Sequence, residues 1–113
     1  MLQQIWHLAL DRENERDTEI WLAQGRLIAA GAETPRAGDY VFLRRRHRGA
    51  FLVGRVLEDA HFAAEGIIEA KMRWAPLDKP VALKGFPKGD GLQKANAGAL
   101  EHRLEARRWL EPR

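Results

Sequence analysis

Apolar and polar positions alternate most cleanly over residues 66–75, where Ile68, Ala70, Met72 and Trp74 fall on one side and Ile67, Glu69, Lys71 and Arg73 on the other. A period of two sends successive side chains to opposite faces of a strand, one to the core and one to water. Pro76 is expected to end this strand. Residues 36–57 hold two apolar runs rich in β-formers around a short basic turn, with Gly38-Asp39 opening the first run, Gly49 at the turn and Gly54 inside the second. The spacing predicts strands at 39–46 and 50–58 joined as a twisted hairpin, Gly54 marking a bend or a close backbone approach. Residues 4–10 place Trp6, Leu8 and Leu10 on one face and Ile5, His7 and Ala9 on the other, a strand apolar on both sides.

The remaining segments read less sharply. Residues 11–17 are charged and are expected to form a loop. Ile20, Ala23, Leu27 and Ala30 stand near helical spacing, which predicts a helix over 18–30 with Gly31 as its stop. Gly31, Pro35 and Gly38 mark a connection. A short strand is expected at 79–84, a loop at 85–96, and a helix at 97–109 from Leu100, Leu104 and Trp109. The order strand, helix, four closely spaced strands, helix does not suggest repeated parallel βαβ units. It predicts an α+β fold: a small mixed or antiparallel β-barrel with one helix after the first strand and a C-terminal helix.

A chain of 113 residues with 45% hydrophobic content suits one domain, 1–113, with a single packed core. No apolar stretch approaches a membrane span, and the first residues lack the basic-then-apolar order of a signal peptide. The chain has no cysteine, which removes disulfides, thiol nucleophiles and thiolate zinc sites and fits a reducing, cytoplasmic setting. It has no serine either, which removes a serine triad. Phe86-Pro87-Lys88-Gly89-Asp90-Gly91 carries no phosphate-cradling motif. No cofactor is implied.

Net charge is +3, and its distribution matters more than its size. Acidic groups gather at Asp11, Glu13, Glu15, Asp17 and Glu19. Arg44, Arg45, Arg46 and Arg48 surround His47 at the predicted hairpin tip. Such a tip can contact phosphates, or can serve as a solvated edge that discourages strand-to-strand aggregation. His7 reads as a hydrogen-bonded core residue. Glu101 and Glu105 read as a solvated helix face, and His61 with Glu65 falls in an expected loop.

The Gly38-Asp39 strand followed by Gly49-Ala50-Phe51-Leu52-Val53-Gly54-Arg55-Val56 resembles the core hairpin of PUA-like domains, in particular the EVE domain. Ile5-Trp6-His7-Leu8 is similar to the first strand of that domain, and Trp21 falls where its relatives carry a Trp ahead of the Gly-Asp motif. The resemblance spans roughly residues 4–75. It departs at Trp21-Leu22-Ala23-Gln24-Gly25, where EVE domains often carry a Gly-Val-Arg-Asn-like run, and in one extra residue between Gly49 and Gly54.

The resemblance implies a module that binds nucleic acid, DNA or RNA, and takes a base, modified or not, into an aromatic pocket. An aromatic wall returns about 1–3 kcal/mol of stacking to a flipped base. Trp21 is the expected wall, with Trp6 and Trp74 as further candidates and Arg44, Arg45, Arg46 and Arg48 as phosphate contacts. Two other readings stand beside it. One is a hydrolase acting on nucleosides or RNA, as among the ASCH relatives of this superfamily. The other is a protein-interaction module that uses the barrel as a scaffold.

Overall fold

A computed structural model of the chain describes residues 4–10, 12–45, 49–81, 91–95 and 106–110. The elements are β1 (Ile5–Leu10), α1 (Arg12–Gln24), β2 (Arg26–Ala30), β3 (Tyr40–Arg45), β4 (Ala50–Val56), β5 (His61–Ala64), β6 (Ile67–Val81) and β7 (Gln93–Lys94). A short helical segment, α2, covers residues 106–110. The strands form a curled mixed sheet in the order β2-β6-β4-β3-β1-β7, with β5 beside β6. β1 and β3 run parallel, from Ile5 opposite Tyr40 to Leu10 opposite Arg45, because α1 and β2 carry the chain back between them. The other strand pairings are antiparallel. The two ends of this order approach each other where Gly31, past β2, bridges Leu92, ahead of β7; Leu92 N donates to Ala30 O at 2.7 Å.

Both faces of the central strands are covered. The inner face carries Trp6, Leu8, Val41, Leu43, Leu52 and Met72 among others, and α1 adds Trp21 to it. The outer face carries Ile5, Tyr40, Phe42 and Val53, packed against Ala106 and Leu110 of α2. This two-sided burial is why residues 4–10 are apolar at nearly every position. The chain also uses glycine to admit a large ring to the sheet. A Cβ on Gly54 would lie 2.5 Å from Trp74 Cε3 and 2.7 Å from Met72 Cε, so only a bare backbone lets the indole lie flat on β4.

Four expectations need correction. The helix expected at 18–30 runs over Arg12–Gln24 instead, so the expected loop at 11–17 is helical from Arg12. Gly25, at φ 61°, ends it, and Leu27 and Ala29 alternate inward as β2. Pro76 does not end the strand expected at 66–75: β6 passes through it to Val81, taking in the start of the strand expected at 79–84. β2 accompanies β6 only from Ile67 to Lys71, so beyond that point a proline can face an edge that no described strand pairs. The segment around His61 is a strand, β5, rather than a loop. Within the expected loop 85–96, residues 93–94 form β7. Residues 82–90 and 96–105 lie outside the described residues, so the helix expected at 97–109 is seen only as 106–110. No helix among the described residues is long and apolar enough to cross a membrane.

Candidate functional site

The connection from β2 to β3 ends in a tight turn. Asp39 N donates to Arg36 O at 3.0 Å, closing a four-residue turn with Gly38 in its third position at φ 92°. That conformation favours glycine, and it aims the next side chain back across the turn. Asp39 is buried, and its carboxylate accepts three N–H groups: Gln4 N on Oδ1 at 2.9 Å, Trp6 Nε1 on Oδ2 at 3.0 Å, and Arg36 N on Oδ2 at 2.9 Å. One carboxylate thereby ties the entry of β1, the indole of Trp6 and the turn before β3. Gly38 N donates to Val56 O and Val56 N to Asp39 O, fixing the turn on β4 as well.

Above this brace lies an open cleft of about 830 Å³. Its wall is formed by the 32–39 connection, with Arg55 from β4, Phe62 from β5 and Trp6 with Lys94 from the β1–β7 side. Phe62 is 48% exposed, a large apolar ring left in water at the cleft rim. Trp6 is buried, 3% exposed; Lys94 Nζ stands 5.7 Å from its ring centroid and 3.3 Å from Glu33 Oε2. A second, more open groove of about 360 Å³ shares Ala37, Gly38 and Arg55 with the cleft's lining and reaches Leu57 and Arg73. Arg36, Arg55 and Lys94 border the cleft, and Arg55 and Arg73 border the groove. Among the described residues no group of three His, Asp or Glu side chains is arranged to hold a metal ion.

Trp6, Trp21 and Trp74, the three indoles expected to line a base pocket, all belong to the inner packing, the last as a partly buried neighbour. Of the three, Trp6 lines the large cleft. Trp21 is 5% exposed and borders a separate concavity of about 350 Å³ with Asp17, Ile20, Gln24, Arg26 and Ile28. Trp74 donates Nε1–H to Arg26 O at 3.2 Å and lies against Gly54. Arg44 is half-buried at the end of β3. Arg45 is exposed, its guanidinium 4.8 Å from the Phe51 ring centroid. Arg46, His47 and Arg48 lie outside the described residues.

Sequence reasoning took Gly38-Asp39 as the opening of a strand and missed the carboxylate brace. It also missed Arg36, Arg55, Phe62, Arg73 and Lys94. One signal was present: Arg55 is a charged position inside an otherwise apolar run. The others come together only through the register of strands distant in sequence. The chain matches none of the protein-family models, curated proteins or solved structures with which it was compared.

Proposed function

We propose that this protein is a nucleic-acid-binding module of PUA-like, EVE-related type that receives a base in the cleft beside Trp6, Asp39 and Phe62. The observation that carries the reading is a single cleft with an exposed aromatic ring at its rim, an indole in its floor and cationic side chains on its walls. Its volume of about 830 Å³ lies in the range typical of small-molecule sites. Phe62 supplies a stacking face, and an exposed ring of this kind contributes about 1–3 kcal/mol per stacked base. Trp6, held by Asp39, forms a rigid floor, and Lys94 must swing aside for a base to reach it. Arg44 and Arg45 at the end of β3, with Arg46 and Arg48 close behind them in the sequence, are a second set of candidate phosphate contacts. The aromatic element thus moves from Trp21, which the sequence favoured, to the Phe62–Trp6 pair.

The test is a binding screen of single-stranded DNA and RNA oligonucleotides, with and without modified bases, at fixed salt. Phe62→Ala is expected to remove base-dependent affinity while leaving the fold intact. If no oligonucleotide binds more tightly than its abasic counterpart, the reading fails.

A further inference from the structure

The cleft holds an ion pair at the place where a base would lie. Among the described residues two carboxylates line it, Asp39 and Glu33. Asp39 is spent on its three N–H donors. The backbone N–H groups of the turn are spent as well: Arg36 N on Asp39, Ala37 N on Asp59, Gly38 N on Val56 O and Asp39 N on Arg36 O. Glu33 differs. Its Oε2 meets Lys94 Nζ at 3.3 Å, and the Glu33 and Lys94 side chains are 66% and 44% exposed. An exposed ion pair of this kind is weak and is readily exchanged for another partner. The closure of the sheet fixes both ends. Lys94 is opposite Trp6 in the β1–β7 register, and Glu33 lies just past Gly31, which bridges Leu92 ahead of β7. The ammonium therefore stands beside a carboxylate and 5.7 Å from the centroid of the indole that floors the cleft.

We infer that Glu33 reads the bound base and selects guanine, its carboxylate accepting guanine N1–H and N2–H. The inference rests on the reading that the cleft receives a base over Trp6, and it names which base. A base that takes the place of Lys94 on the indole turns its edge to the carboxylate that the ammonium leaves. A carboxylate has two acceptor oxygens and no donor. Guanine carries two neighbouring N–H groups on its Watson–Crick edge, so both oxygens are met in a fork. Adenine and cytosine place a ring-nitrogen acceptor beside their amino group, and uracil flanks its single N–H with carbonyls. Each of these sets an acceptor against the second carboxylate oxygen. Lys94, released from Glu33, donates to guanine O6 on the same edge. The ion pair of the free protein thus already holds the acceptors and the donor that complement guanine.

The experiment measures affinity, at one salt concentration, for a short labelled single strand with one central guanine in a uracil background, made as RNA and, with thymine for uracil, as DNA. The central base is replaced in turn by hypoxanthine, adenine or cytosine, or is removed. Hypoxanthine keeps N1–H, O6 and the purine face and lacks the 2-amino group. Losing that arm of the fork should weaken binding about tenfold, within the discrimination of a bidentate base contact. Glu33→Gln presents one acceptor and one donor, so guanine should lose its advantage over hypoxanthine. The substitution also removes a negative charge, which strengthens binding to every strand, so the readout is the guanine-to-hypoxanthine ratio within each protein. Glu58→Gln, which removes a carboxylate paired with Lys71 away from the cleft lining, should keep the wild-type ratio. A wild-type ratio near one, a preference for another base, or a ratio that Glu33→Gln leaves unchanged overturns the assignment to Glu33, while affinity above that of the abasic strand still supports a base in the cleft. Intact and abasic strands that bind equally, or that do not bind, overturn the reading of the cleft and this assignment with it.

Discussion

Replacing Asp39 by asparagine removes one charge and almost no volume, so it isolates the carboxylate brace. Oδ1 serves Gln4 N, and Oδ2 serves both Trp6 Nε1 and Arg36 N. Asparagine has a single acceptor oxygen. If that oxygen keeps the Oδ2 place, its NH2 faces Gln4 N–H, donor against donor; the opposite orientation sets the NH2 against two donors. At least one bond to a charged acceptor disappears, about 1.5–3 kcal/mol, and a part-buried donor is left unmet, about 1–3 kcal/mol if water does not reach it. The open cleft admits some water, so the lower part of the combined range applies, about 2.5–4 kcal/mol. A domain of this size is stable by about 5–15 kcal/mol, so the loss is a large share. With a urea slope of about 1–3 kcal/mol per molar, the midpoint of Asp39→Asn should fall by about 1–2 M. Equilibrium urea unfolding followed by tryptophan fluorescence reads this directly. A drop below about 0.5 kcal/mol, the scale of an ordinary surface substitution, would refute the brace.

Gly54→Ala should destabilise the fold by about 1–3 kcal/mol through overpacking, because its Cβ meets Trp74 Cε3 at 2.5 Å; thermal unfolding measures the loss, and near-ultraviolet circular dichroism should report the displaced indole. Gly38→Ala should lower stability by about 1 kcal/mol or more, since its φ of 92° suits glycine, while Ala37→Gly in the same turn should change much less; urea midpoints compare the two. Trp21→Ala should cost about 3–5 kcal/mol of stability as a core truncation, so any loss of binding in that variant must be judged against its unfolding curve. Phe62→Ala should weaken oligonucleotide binding by about 1–3 kcal/mol and leave the urea midpoint nearly unchanged, because the ring is 48% exposed.

The hairpin of β3 and β4 was legible because its apolar runs, glycines and basic turn all point to one local structure. β1 was legible for the same reason, its two apolar faces being matched by two layers of packing. The α1–β2 boundary was misread because Leu27 continues the helical spacing of Ile20 and Ala23 while also fitting the alternation of β2. Gly25 decides between them: its positive φ accompanies the Met72 N to Gly25 O bond at 2.7 Å, a link between distant parts of the chain. The run through Pro76 was illegible because it depends on which edge of β6 lacks a partner. The cleft was illegible for a similar reason: Arg36, Arg55, Phe62 and Lys94 come from four separate elements, and register alone brings them together. Trp21 stands out as an indole on a polar helix, yet of the described side chains of α1 it and Thr18 are the ones the fold buries.

The claim that a base enters the cleft over Trp6 is tested most directly by two-dimensional nitrogen–proton NMR of the four tryptophan indole groups during titration with a short single strand. Substitution of each tryptophan by phenylalanine in turn assigns the four signals. The Trp6 indole N–H, bonded to Asp39, and the backbone amide of Gly38 are expected to shift together and to saturate, while the Trp21 indole signal stays in place. Saturable binding that leaves the Trp6 and Gly38 signals unmoved, or that moves Trp21 instead, would contradict the account.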